Sequence, residues 1–159
     1  MIRYVDGDLL RATEDIIAHQ VNGLGVMGAG LAKSIKAKHP AVFTQYATFT
    51  RTFDRPEDAL GVNYMVTTSG QPVYTYDKTG HIIANLYGQA RVGRATQQTD
   101  VDALMTALAH LKAYAKSNDL SVALPYKIGC ALGGADWSVV EPLIADIFSD
   151  HDVTLYRLK

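Results

Sequence analysis

Cysteine is almost missing from this sequence: Cys130 stands alone among 159 residues. A lone thiol forms no internal disulfide, so a reducing, cytoplasmic setting is the expectation. Charge of one sign is missing too, with a formal net charge of -1. Without a global positive field, nucleic-acid binding is disfavoured. No apolar run approaches the roughly 20 residues that span a bilayer, so no membrane partner is expected. Met1 to Val5 meets Asp6 and Asp8 too early for a secretory leader. His, Cys and acidic residues fall at no spacing that resembles a ligand set, so neither a metal nor a cofactor is implied. Repeats, low-complexity segments and linkers are absent, which leaves one domain over residues 1–159 and says nothing of oligomeric state.

What is present reads as a globular α/β chain, with 48% hydrophobic and 19% charged residues. Short strands are predicted at Ile2 to Val5, Ile16 to Val21, Val62 to Thr67, Val73 to Tyr76, His81 to Leu86, Ser121 to Leu124 and Val153 to Tyr156. The run Ile16 to Val21 is nearly all apolar, as in a strand buried on both faces. Between strands lie helical stripes. Leu31, Ala32 and Ile35 form one, and Pro40 opens the next, carrying Val42, Phe43, Tyr46 and Phe49. Thr99 caps a third helix with Val101, Leu104, Met105, Leu108 and Leu111, and a fourth carries Val139 to Phe148. Alternating strands and helices predict a three-layer α/β domain.

Two glycine-rich loops follow strands and open helices. The first, Asn22 to Ala32, holds four glycines, and the second runs from Ile128 to Gly134. Such loops bring backbone N–H groups close to a ligand, at helix ends that favour an anion. The first loop lacks the Gly-Lys-Ser/Thr ending of a nucleotide triphosphatase. It follows the second strand, with no acid in Lys36 to Gln45 to hold a ribose, so it is a poor dinucleotide fingerprint. Tight turns alone would explain one such loop as well as a ligand does, but two loops converging on one sheet edge favour ligand binding and suit a diphosphate bridge.

Gly7-Asp8-Leu9, His19-Gln20-Val21-Asn22, Met27-Gly28-Ala29-Gly30-Leu31-Ala32 and Leu124-Pro125-Tyr126-Lys127-Ile128-Gly129-Cys130-Ala131-Leu132-Gly133-Gly134-Ala135-Asp136-Trp137 occur in that order. Together they resemble the ADP-ribose-binding macrodomain family, in the branch of terminal ADP-ribose protein glycohydrolase and ADP-ribose-1''-phosphate phosphatase. The resemblance covers essentially the whole chain. It implies an α/β/α sandwich with a mixed, mostly parallel central sheet. It also implies hydrolysis of an ester at the distal ribose of ADP-ribose or of an ADP-ribosylated substrate. A non-catalytic ADP-ribose reader is the alternative.

Residue roles follow from the same resemblance. Asp8 matches the acid that bonds the adenine amino group, with Leu9 beside it among the substrate-binding positions; a plain turn is the competing reading. Asn22 matches the distal-ribose contact, against a turn-forming Asn before Gly23. The backbone of Met27, Gly28, Ala29, Gly30 and Leu31 would hold the pyrophosphate and distal ribose. So would that of Ile128, Gly129, Cys130, Ala131, Leu132 and Gly133, with Cys130 as a small residue rather than a nucleophile. Asp136 and His19 are the implied catalytic pair. A sheet-edge histidine is the alternative for His19, and a helix N-cap for Asp136. If Asp136 were the cap, Pro142 would sit sixth in the helix and remove an internal bond. Ser138-Val139-Val140-Glu141 reads as a capping box, so Ser138 is the expected cap and Asp136 is free to face the crevice. The glycohydrolase branch uses a lysine on the strand that here reads Ala84 to Gln89; none is present, which leans the implied chemistry toward the phosphatase-like sub-branch. Asn85 and Gln89 are candidates for the distal end of the pocket.

Overall fold

Six strands form a single sheet in a computed structural model that describes residues 1–158. They are β1 (Ile2–Asp6), β2 (Ile16–Asn22), β3 (Asn63–Thr67), β4 (Ile82–Gln89), β5 (Val122–Pro125) and β6 (Val153–Arg157), in the order β1-β6-β5-β2-β4-β3. All neighbours are parallel except β3, which runs antiparallel to β4. The central strands β2 and β4 are buried on both faces, which is why they read as unbroken apolar runs.

The two faces sort by residue parity. Ile16, Ala18, Ile82, Ala84 and Leu86 pack with Leu104, Leu108 and Leu111 of α3 (Val101–Ser117) and with Val140 and Ile144 of α4 (Trp137–Ile147). Ile17 and Ile83 face the other way, against Ile35 of α1 (Gly30–Lys38) and Val42 of α2 (Pro40–Thr50). The spacing of Leu104, Leu108 and Leu111 puts all three on one helical face, and each is fully buried. Each contributes about 1.5–3 kcal/mol of burial. The result is the three-layer sandwich with a mixed, mostly parallel sheet. No helix among the described residues is long and apolar enough to cross a membrane.

Three local expectations are corrected. Val73 to Tyr76 is not a strand: Val73–Thr75 is a 3-10 turn that starts at Pro72, and Tyr74 is 86% exposed. Val73 and Tyr76 still pack against the core, but the segment's neighbour Pro72 makes only an isolated bridge to Val66, so the turn signals on either side prevail. Asp100, not Thr99, caps α3, accepting from Ala103 N at 3.0 Å. The N-cap of α4 is Asp136, not Ser138; its carboxylate accepts from Ser138 N at 2.9 Å and Ser138 Oγ at 2.8 Å. Pro142 therefore does lie inside the helix. The carbonyl it leaves without a donor belongs to exposed Ser138, where water replaces the bond cheaply.

Candidate functional site

Adjacent parallel strands β2 and β5 are laddered only at Ile16–Val122 and Ile17–Ala123. Beyond that point β2 continues to Asn22 and β5 to Pro125, without pairing. The chain leaves β2 for α1 on one face and β5 for α4 on the other. Such a divergence at the carboxyl ends of parallel strands is where α/β sheets open a ligand crevice. A cavity of about 580 Å³ lies there, bordered by both glycine loops. That is within the usual range for a small-molecule site, roughly 300–1,000 Å³.

The first loop is fastened by Asn22. Its Oδ1 accepts from Leu24 N at 3.0 Å, and its Nδ2 donates to Val26 O at 2.9 Å. Met27 is 2% exposed and anchors the loop among Val21, Tyr46 and Tyr87. Gly30, at φ +58°, opens α1. The helix has no side-chain cap bond at Ala29, so its first N–H groups remain available. The second loop is fastened from behind. Thr99 Oγ1 donates to Gly129 O at 2.8 Å, and the N–H groups of Gln98 and Thr99 donate to Gly133 O at 2.9 and 3.0 Å. Gln20 Nε2 ties Thr99 Oγ1 (2.8 Å) to Gln89 Oε1 (2.7 Å). The Gly129 and Gly133 carbonyls are thus occupied, whereas the N–H groups of Gly28, Ala29, Gly30, Ala131, Leu132 and Gly133 have no acceptor among the described residues. A Cβ on Gly30 would lie 3.3 Å from the Leu132 side chain, so the loops meet over the cavity. Two sets of free amides beside an uncapped helix start are donors of the kind an anion such as a diphosphate can accept.

Charge in the lining is one-sided. Arg94 and Lys127 border the cavity, and no carboxylate does. His19 also borders it, 1% exposed, with burial pushing its pKa down to about 4 against the opposing bond to Asn85. It is neutral at pH 7 and is the cavity's one imidazole.

The residues expected at a site divide accordingly. His19, Asn22, Gly28, Ala29, Gly30 and Leu31 border the cavity, as do Ile128, Gly129, Ala131, Leu132 and Gly133. Met27 supports the loop from the core side. Asp8 caps a 3-10 turn, Leu9–Arg11, accepting from Leu10 N at 2.9 Å, and Leu9 is buried in the core; neither borders the cavity. Cys130 is turned away, its thiol 3.4 Å from Ile128 O and its pKa raised by burial. Asp136 is exposed, outside the lining, with its carboxyl held low by the two Ser138 bonds. Gln20, Tyr126 and the two cations join the lining without having been expected there. Gln20 had a signal as a polar residue beside His19 near the carboxyl end of an otherwise apolar strand, whereas Arg94 sits in a polar stretch with no periodicity. Among the described residues no cluster of three or more His, Cys, Asp or Glu is placed to hold a metal ion.

No protein-family model matches the chain. A DNA ADP-ribosyl glycohydrolase of Mycobacterium tuberculosis is 33% identical over 159 residues, across 98% of this chain. The chain spans only 42% of that relative's length. An ADP-ribose 1''-phosphate phosphatase of Debaryomyces hansenii is 26% identical over 180 residues, with 98% of each protein covered. Among solved structures, the macrodomain of Mycobacterium tuberculosis DarG matches with a TM-score of 0.78 at 28% identity, over 98% of this chain and 97% of that one.

Proposed function

This chain belongs to the macrodomain family, and on that footing we propose that it binds ADP-ribose between its glycine loops and hydrolyses an ester at the distal ribose. The observation that carries the reading is the pair of free amide sets, Gly28 to Gly30 and Ala131 to Gly133, over a cavity with two cations and no carboxylate. A pyrophosphate satisfies those donors with full charge assistance. The relatives that act on ADP-ribose derivatives support the same ligand.

In the reaction, water adds to the phosphorus or acyl carbon of the ester. The bond to the ribose oxygen breaks, and that oxygen leaves as a hydroxyl while the acid keeps the water oxygen. His19 takes the water proton and returns it to the ribose oxygen, a role that suits a neutral imidazole. Asp136 serves as the cap that fixes the exit of the second loop. Phosphate, acetate and a protein carboxylate all fit as the acid released, since all are oxygen-linked to one sugar.

Calorimetry with ADP-ribose, followed by a turnover panel, tests the reading. The panel holds ADP-ribose-1''-phosphate, O-acetyl-ADP-ribose, glutamate-linked ADP-ribosyl protein and ADP-ribosylated DNA. Binding with turnover of one of the first three supports it. Binding without any turnover makes the chain a reader module, and no binding removes the ligand altogether. Turnover of the DNA substrate alone favours a second reading, in which Arg94 and Lys127 at the cavity meet nucleic-acid phosphates.

A further inference from the structure

His19 and Asn85 are register partners on β2 and β4, so their side chains leave the sheet on one face. His19 Nε2 lies 2.8 Å from Asn85 Oδ1, and the pair is buried. Asn85 Nδ2 in turn donates to Tyr64 O at 3.0 Å. That second bond fixes the orientation of the amide. A backbone carbonyl only accepts, so the nitrogen of Asn85 must face Tyr64 and the oxygen must face His19. An amide oxygen only accepts as well, so the proton of the neutral imidazole is on Nε2. The lone pair is then on Nδ1, which is buried and has no partner.

We infer that Asn85 is a positioning residue: it locks His19 in the Nε2–H form and so reserves Nδ1 as the basic atom for the ligand. An unpartnered buried acceptor destabilises the fold unless a ligand fills it. Two other strand side chains share the condition among the described residues, Gln20 Oε1 on β2 and Asn63 Oδ1 on β3, but both are amide oxygens, and His19 Nδ1 is the basic atom of the three. His19 is among the residues that border the cavity, but Nδ1 itself is covered, so ligand entry must uncover it before a water or distal-ribose hydroxyl can meet the lone pair. Asn85 holds the ring without charge, and an amide cannot take the proton that an aspartate in its place would share. The ring is therefore an acceptor at rest and becomes a donor only after it has taken a proton. A histidine locked in the wrong tautomer loses base function even when its geometry is intact.

This assignment rests on the hydrolase reading for its catalytic part and stands apart from it for its structural part. Long-range imidazole NMR of nitrogen-labelled protein, at neutral pH and without ligand, reads the tautomer directly. Nε2–H on His19 in the unmodified protein is expected; Nδ1–H or a charged ring overturns the proposal. In Asn85→Leu the lock is gone. The spectrum is expected to move toward Nδ1–H or a mixture, and kcat to fall at least about tenfold, the lower end of what losing an outer partner of a working histidine costs. Affinity for ADP-ribose is expected to stay within about threefold, because the amides that bind the pyrophosphate are untouched. Unchanged kcat in Asn85→Leu sinks the positioning role. If the unmodified protein turns over no ester, yet its spectrum shows Nε2–H and Asn85→Leu loses it, then the lock stands and the hydrolase reading falls.

Discussion

The Tyr46 hydroxyl lies 2.7 Å from the carbonyl oxygen of Asn22 and 3.0 Å from its Oδ1. A fully buried tyrosine on α2 therefore holds the residue at which β2 becomes the first glycine loop. Tyr46→Phe keeps the packing and removes the bond. It is expected to cost about 1–2 kcal/mol of stability and to weaken ADP-ribose binding several-fold, read by denaturant unfolding and calorimetry.

Stability should fall in mild acid. His19 binds a proton with a pKa of about 4 when folded and 6.5 when unfolded. Between those values the unfolded chain holds more protons, so stability rises with pH and is lost as pH falls through the window. His39 is shifted down as well, by burial first, and adds with the same sign. Urea unfolding at pH 7 and pH 4.5 should differ by roughly 2–3 kcal/mol from His19 alone. His19→Gln should flatten most of that difference.

Asp136 offers a clean division between cap and catalyst. Asp136→Asn keeps an acceptor for Ser138 N and is expected to preserve both the thermal midpoint and kcat. Asp136→Ala loses the cap and should cost about 1 kcal/mol. A hundredfold loss of kcat in Asp136→Asn, with the fold intact, would return the carboxylate to the reaction.

Gly133→Ala should damage the site more than the fold. The new Cβ would collide with Thr99 Oγ1 and lie 2.7 Å from Gly129 O. The second loop must then move off its Thr99 support. The expected result is at least about a tenfold loss of ADP-ribose affinity by calorimetry, with the α3 core unmoved.

Much of this was written in local sequence. Glycines between an apolar run and a helical stripe announce a ligand loop, because few other residues allow the close approach and positive φ seen at Gly30 and Gly129. The layers were legible because β2 and β4 carry no polar face to put in water. What failed did so at long range or in competition. The His19–Asn85 pair joins residues 66 apart, and nothing local marks it. The parting of β2 from β5 beyond Ile17 is a property of two strands at once. Capping of α4 turned on a balance between two local costs. The Pro142 penalty is real but falls on an exposed carbonyl, so the tight turn of Asp136 onto Ser138 prevails.

The single tryptophan of the chain, Trp137, begins α4 where the second loop ends. Its ring meets Tyr126 edge-on at 5.3 Å, and Tyr126 borders the cavity. Excited beyond the absorption of the nine tyrosines, the protein therefore emits from one indole, which an aromatic contact couples to the ligand space. Its emission reports occupancy without a dye, and stopped-flow mixing on that signal would time loop movement separately from chemistry.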